Sequence, residues 1–129
     1  MNIGEASQLS GIQSKLIRHY EAIGLIPKVQ RSGSGYRVYT ESDVHILIFV
    51  KRARNLGFSM KEIKKLIGLW RNKTRKSSDV KNLVLHHIED MEHKIQELQE
   101  MVQTLKHLSQ HCQGDHRPNC PILNGLAGI

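Results

Sequence analysis

Apolar residues recur at helical spacing along most of this chain, and the breaks between those runs predict its elements. Ile3, Ala6 and Leu9 predict a short first helix. After a turn at Ser10 and Gly11, Leu16, Ile17 and Tyr20 put an apolar stripe on a second helix that ends near Gly24. Pro27 breaks the helical pattern, and two short extended runs follow on either side of Ser32, Gly33, Ser34 and Gly35. Such a tip supplies the positive φ values of a hairpin. Thr40 with Asp43, and Ser59 with Glu62, are capping-box signals for two more helices. The first carries Val44, Leu47, Ile48 and Ala53 and stops at Gly57. The second carries Ile63, Leu66, Ile67 and Trp70, with Trp70 packing the helix pair. Residues 71–76 form a basic, polar hinge.

The pattern then changes. From a cap at Ser77 or Ser78, Val84, Ile88, Met91, Ile95, Leu98, Val102 and Leu105 alternate in steps of four and three. That is a heptad seam. A helix running to about His111 would be roughly 50 Å long. Too little chain remains to cover its narrow apolar stripe, so the seam predicts a homodimeric coiled coil. The loop HCQGDHRPNC follows, and then a short terminal helix opened by Pro121, with Ile122, Leu123 and Leu126 placed to dock it.

Charge divides along the same line. Through Lys76 there are fifteen basic and five acidic residues, and after it four and seven. The balances of +10 and −3 make up the net +7. The excess positive charge sits in the N-terminal part, where a phosphate-binding module requires it. There, Lys15, Arg18, His19 and Tyr20 share a polar helix face. Arg31 precedes the Gly-rich tip, and Tyr36, Arg37 and Tyr39 follow it. A helix-turn-helix with a basic, aromatic wing can put a helix in a major groove while the wing grips phosphates. The chain therefore reads as a DNA-binding protein. No nucleophile–base pairing, paired carboxylates or phosphate loop points to an enzyme. The opening MNIGEASQLSG has neither the basic start nor the apolar run of a secretory leader. The longest apolar stretch, Ile46 to Val50, is far too short for a bilayer. A cytoplasmic location is expected, with no membrane partner.

In a reducing compartment the two cysteines point to metal binding or redox sensing before a structural disulfide. Cys112 and Cys120 lie on one short loop. Two thiolates suit a soft monovalent ion, Cu(I), Ag(I) or Au(I), in two-coordination, whereas structural zinc takes four ligands. Among the eight histidines, His111 and His116 flank the loop and His107 stands at i, i+4 to His111, so a divalent ion is an alternative. His86, His87 and His93 fall on the long helix as surface residues.

IRHYEAIGLIP, the wing ending GYRVYT, the capped helix reaching Arg54 and the long helix from Ser77 resemble the MerR family of transcription regulators. The resemblance covers essentially the whole chain. Cys112, seven intervening residues, then Cys120 and Pro121 resemble its copper-efflux regulator subgroup, from which His116, Arg117 and Asn119 depart. The resemblance implies a mainly α fold. A winged helix-turn-helix DNA-binding domain with its connecting helices (1–76) precedes a dimerisation helix (77–111) that pairs as an antiparallel coiled coil. A metal-binding loop and short terminal helix (112–129) complete it. It implies an activator that distorts promoter DNA on metal binding so that RNA polymerase can use it. DNA contacts would come from Lys15, Arg18 and Tyr20 on the recognition helix, Arg31, Tyr36 and Arg37 on the wing, and Arg54. One Cu(I) per protomer would bind Cys112 and Cys120. Related divalent-metal sensors carry a cysteine where Ser77 stands. Ser77 and Lys81 would support the metal site, the helix start offsetting the net −1 charge of a bis-thiolate Cu(I) unit. The rival readings are a redox or Zn(II) sensor of the same family and a non-sensing DNA-architectural protein.

Overall fold

The computed structural model describes residues 1–115 and 117–129. The chain forms two compact units, residues 1–80 and 81–129. Their boundary falls just inside the long helix, so the N-terminal unit includes that helix's first turn.

The N-terminal unit is built from α1 (Ile3–Ser10), α2 (Ser14–Ala22), a hairpin of β1 (Gln30–Arg31) and β2 (Arg37–Val38), α3 (Glu41–Asn55) and α4 (Met60–Arg71). Three of these helices start from reciprocal capping boxes: Asn2 with Glu5, Thr40 with Asp43, and Ser59 with Glu62. Each satisfies backbone N–H groups that the helix itself leaves free. Gly11, at φ 74°, ends α1 in the left-handed region and makes the sharp turn into α2. Leu9 departs from expectation: it is 61% exposed, and α1 buries Ala6 and Ser10 instead.

Helix α3 packs against α1 and α4. Its Leu47 and Val50 meet Ile17, Tyr20 and Ile63 in one core, where each is buried. Phe49 stacks on Trp70 with ring centroids 5.1 Å apart, linking α3 to α4 as expected. The wing pairs Gln30 with Val38 and Arg31 with Arg37, antiparallel. Met1 extends it. Its amine donates to the Tyr39 carbonyl at 2.8 Å, and the Tyr39 N–H returns a bond to the Met1 carbonyl at 2.7 Å.

The long helix α5 spans Ser77–Gln110, and α6 spans Pro121–Ala127. In the C-terminal unit α6 lies against α5 where Gly125 meets Leu108. A β-carbon at 125 would fall 2.3 Å from Leu108 Cδ2, so the end of the Leu108 side chain occupies the space that a side chain at 125 would take. The heptad positions Ile88, Met91, Ile95, Leu98, Val102 and Leu105 remain 42% to 58% exposed in the single chain. None of the described helices is long and apolar enough to cross a membrane.

Candidate nucleic-acid interface and thiol loop

The apolar stripe of α2 faces the core through Ile17 and Tyr20 and thereby turns Lys15 and Arg18 outward. Arg18, Arg31, Tyr36 and Arg37 then line a single shallow concavity of about 300 Å³, with Asn2, Ile3 and Gly35. Four expected DNA contacts thus share one surface. Arg31 donates to the Gly35 carbonyl at 2.9 Å, closing the wing tip. Tyr36 is 75% exposed. Arg37 Nε donates to a Glu21 carboxylate oxygen at 3.3 Å. The other oxygen of Glu21 accepts from the Val29 N–H at 3.2 Å.

Arg54 lines a second concavity, of about 270 Å³, with Gly11, Gln13, Leu16 and Lys51 at the start of α2. Lys51 Nζ donates to the Gly11 carbonyl at 3.0 Å. Tyr20 corrects the sequence reading. It is fully buried, and its hydroxyl accepts a bond from Arg54. The Arg54 guanidinium also lies 6.0 Å from the Tyr20 ring centre. Tyr20 sits in the apolar stripe with Ile17 three residues before it, so its phenol holds Arg54 and is not itself presented to a phosphate. Burial also pushes the neighbouring Tyr39 phenol above its ordinary value.

Sequence reasoning missed Glu21 and Lys51. Lys51 carried a signal, standing one turn before Arg54 on the same helix. Glu21 carried none, because its partner Arg37 is sixteen residues away in the chain.

At the other end of the molecule's sequence, Cys112 and Cys120 converge. Their Sγ atoms are 3.9 Å apart, and both residues are half-buried. A disulfide bond would need about 2.05 Å. Two sulfurs on opposite sides of one ion need roughly twice a ~2.3 Å metal–sulfur bond, a span that small side-chain movements reach. Cys112 closes the end of α5, its N–H donating to Ser109 at 3.1 Å. Gly114, at φ 68°, turns the chain back. Asp115 holds Arg117 through the backbone N–H at 2.9 Å and through Nε at 2.8 Å. These bonds keep the Asp115 carboxyl below its usual range. Cys120 precedes Pro121 at the head of α6. Its thiol is lowered, chiefly by the Leu123 N–H and then by that of Ile122, although no full capping bond to its side chain forms.

Among the described residues no group of three His, Cys, Asp or Glu side chains is assembled. His111 holds the His107 carbonyl and does not join the thiol pair in such a group. The alternative that used His116 lies outside the described residues. Lys81 stands at the opposite end of α5 from Cys112, about 45 Å away by helical rise. Within one chain it therefore does not approach the thiols. Ser77 is exposed at the helix start.

Comparison with known proteins decides the family. The description "MerR HTH family regulatory protein" matches residues 1–68, more than half of the chain, and "MerR, DNA binding" matches residues 44–108. The chain belongs to the MerR family. Like other MerR-family proteins it is a DNA-binding transcription regulator and not an enzyme. It is 56% identical to the HTH-type transcriptional regulator HmrR of Sinorhizobium medicae, over 98% of this chain and 86% of that protein. It is 38% identical to the HTH-type transcriptional regulator CueR of Escherichia coli, over 99% of this chain and 95% of that one. The transcription regulator PbrR691 of Ralstonia metallidurans, solved in complex with lead(II), superposes with a TM-score of 0.88 at 31% identity, covering 98% of both chains.

Proposed function

We propose that this MerR-family regulator is a homodimeric, Cu(I)-responsive transcription activator, one that Ag(I) and Au(I) also trigger. The observation that carries this reading is the pair of thiols 3.9 Å apart without a group of three donors among the described residues. Two soft sulfur donors suit a monovalent ion of low coordination number and leave a four-ligand divalent ion short. The lowered Cys120 thiol favours the thiolate that metal binding needs. Heavy-metal-dependent regulators among its relatives, such as one from Rhizobium meliloti at 58% identity, support a metal signal. Bound Cu(I) would supply a bridge between two points of the chain, the end of α5 and the head of α6.

Promoter DNA would be held by Lys15, Arg18, Arg31, Tyr36, Arg37 and Arg54. Pairing along the heptad seam would place two such surfaces on one duplex, where a change in dimer geometry becomes a change in DNA shape that RNA polymerase reads. An antiparallel partner also offers the start of its own helix to this chain's thiol loop. That resolves the distance between Lys81 and Cys112: Ser77 and Lys81 would serve the metal site of the opposite protomer. The charge of a bis-thiolate unit would then face a helix N-terminus and a lysine.

X-ray absorption on the reduced, Cu(I)-loaded protein tests the reading. One copper per protomer with two sulfur neighbours is expected. A spectrum dominated by nitrogen, or a third sulfur, would overturn it. The same sulfur proximity favours a second reading, a reversible Cys112–Cys120 disulfide. Promoter activation that follows oxidant and ignores copper would select it.

A further inference from the structure

His107 in the last turn of α5 and His111 in the turn just beyond its end form a pair of metal donors that the thiol loop does not use. His107 and His111 stand at i, i+4, with ring centroids 4.5 Å apart and ring planes at 55°. His111 Nδ1 lies 2.7 Å from the His107 carbonyl oxygen. A carbonyl oxygen can only accept, so Nδ1 carries the ring proton and Nε2 keeps its lone pair. This is how a neighbouring acceptor sets the tautomer and orientation of a metal-binding imidazole. Helices that hold an ion with two imidazoles use the same spacing. Both rings are exposed, so they can adjust to an ion, and water can complete its shell.

The other histidines of the helix are differently engaged. His86 lies 3.9 Å from Glu89 and His93 3.1 Å from Glu97, each against a carboxylate. His87 is buried.

We propose that His107 and His111 chelate one borderline divalent ion, Cu(II) or Ni(II), at a site distinct from the thiol pair. Neutral imidazole nitrogens suit these ions, and among first-row divalent metals Cu(II) binds such donors most tightly. A two-donor site does not satisfy zinc's preference for four protein ligands. An ion held there ties the last turn of α5 to the residue immediately before Cys112. The chain would thus carry a soft-ion site on its loop and a harder-ion site on the helix that anchors that loop.

The test uses the full, tag-free chain carrying Cys112→Ser and Cys120→Ser, so that thiols do not compete, titrated calorimetrically with Ni(II). One Ni(II) per protomer is expected. His107→Ala or His111→Ala should each weaken binding by about tenfold or more, while His93→Ala should not. Affinity unchanged by both of the first two substitutions overturns the proposal. If the double serine variant loses its helical circular dichroism, the native thiols are blocked with methyl methanethiosulfonate instead. Substoichiometric paramagnetic Ni(II) should then broaden the His107 and His111 ring signals before those of His86 and His93. The reverse order also overturns it. Neither measurement involves Cu(I), so failure here leaves the thiol-site reading standing.

Discussion

Glu21, at the end of α2, holds Arg37 of the wing with one carboxylate oxygen and the Val29 backbone with the other. The side chain of Glu21 is only 11% exposed and that of Arg37 28%. One carboxylate therefore sets the wing against α2 and partly neutralises an arginine that shares its concavity with Arg18, Arg31 and Tyr36. Glu21→Gln keeps the size and an acceptor for Val29 but removes the charge. It should free Arg37 for phosphate, raise affinity for non-specific duplex and steepen the salt dependence by about one phosphate contact, a slope change of ~0.9. Glu21→Ala should instead weaken promoter binding, because the wing loses its anchor. An unchanged salt slope in Glu21→Gln, measured by fluorescence anisotropy, would show that the pair does not compete with DNA.

Tyr20→Phe probes a different support. The ring still fills the core, but Arg54 loses its acceptor. A bond from a charged group contributes ~1.5–3 kcal/mol, so a modest loss of promoter affinity is expected, smaller than that of Arg54→Ala. Arg18→Ala, which removes an exposed cation from the proposed DNA surface, should abolish promoter binding without unfolding the protein. Wild-type affinity for Tyr20→Phe would mean that Arg54 is positioned by something other than this hydroxyl.

The helices were legible where a signal is local. Thr40 with Asp43 and Ser59 with Glu62 announce α3 and α4, because a capping box is complete within four residues. The alternating four-three steps likewise announced α5. Roles that depend on tertiary contacts were less legible. Tyr20 offered a phenol that could serve either surface or core, and its place beside Ile17 in the stripe decided for the core. The carboxylate of Glu21 gains its meaning only when the wing folds back onto α2. The thiol pair was visible as a spacing, yet its 3.9 Å approach belongs to the folded loop, in which Gly114 takes a positive φ and Gly125 lies against Leu108.

The exposed seam of α5 predicts what holds the dimer. Ile95 is 54% exposed in the single chain and lies at the middle of the heptad run. Ile95→Lys should place an unpaired charge in the paired helices and destabilise the dimer by ~3 kcal/mol. Sedimentation should then report monomer. A dimer of unchanged mass and stability would mean that the chains pair through another surface.

The seating of α6 gives the last prediction. A β-carbon at Gly125 would meet only the far end of the Leu108 side chain, so Gly125→Ala should be absorbed by a small rotation of Leu108. Gly125→Val adds two further carbons at the same point and should lift α6 from α5. Because Cys120 heads α6 and Cys112 closes α5, the two sulfurs should separate and Cu(I) affinity should fall. Operator binding should persist, since the residues proposed to contact DNA lie in the N-terminal unit. Leu108→Ala in the Gly125→Val background should restore part of the affinity by removing the clashing methyl groups, whereas Leu108→Ala alone should weaken docking. Competition titrations with a Cu(I) chelator measure all four variants. Equal affinity for Gly125→Val and wild type would show that α6 docking does not set the distance between the thiols.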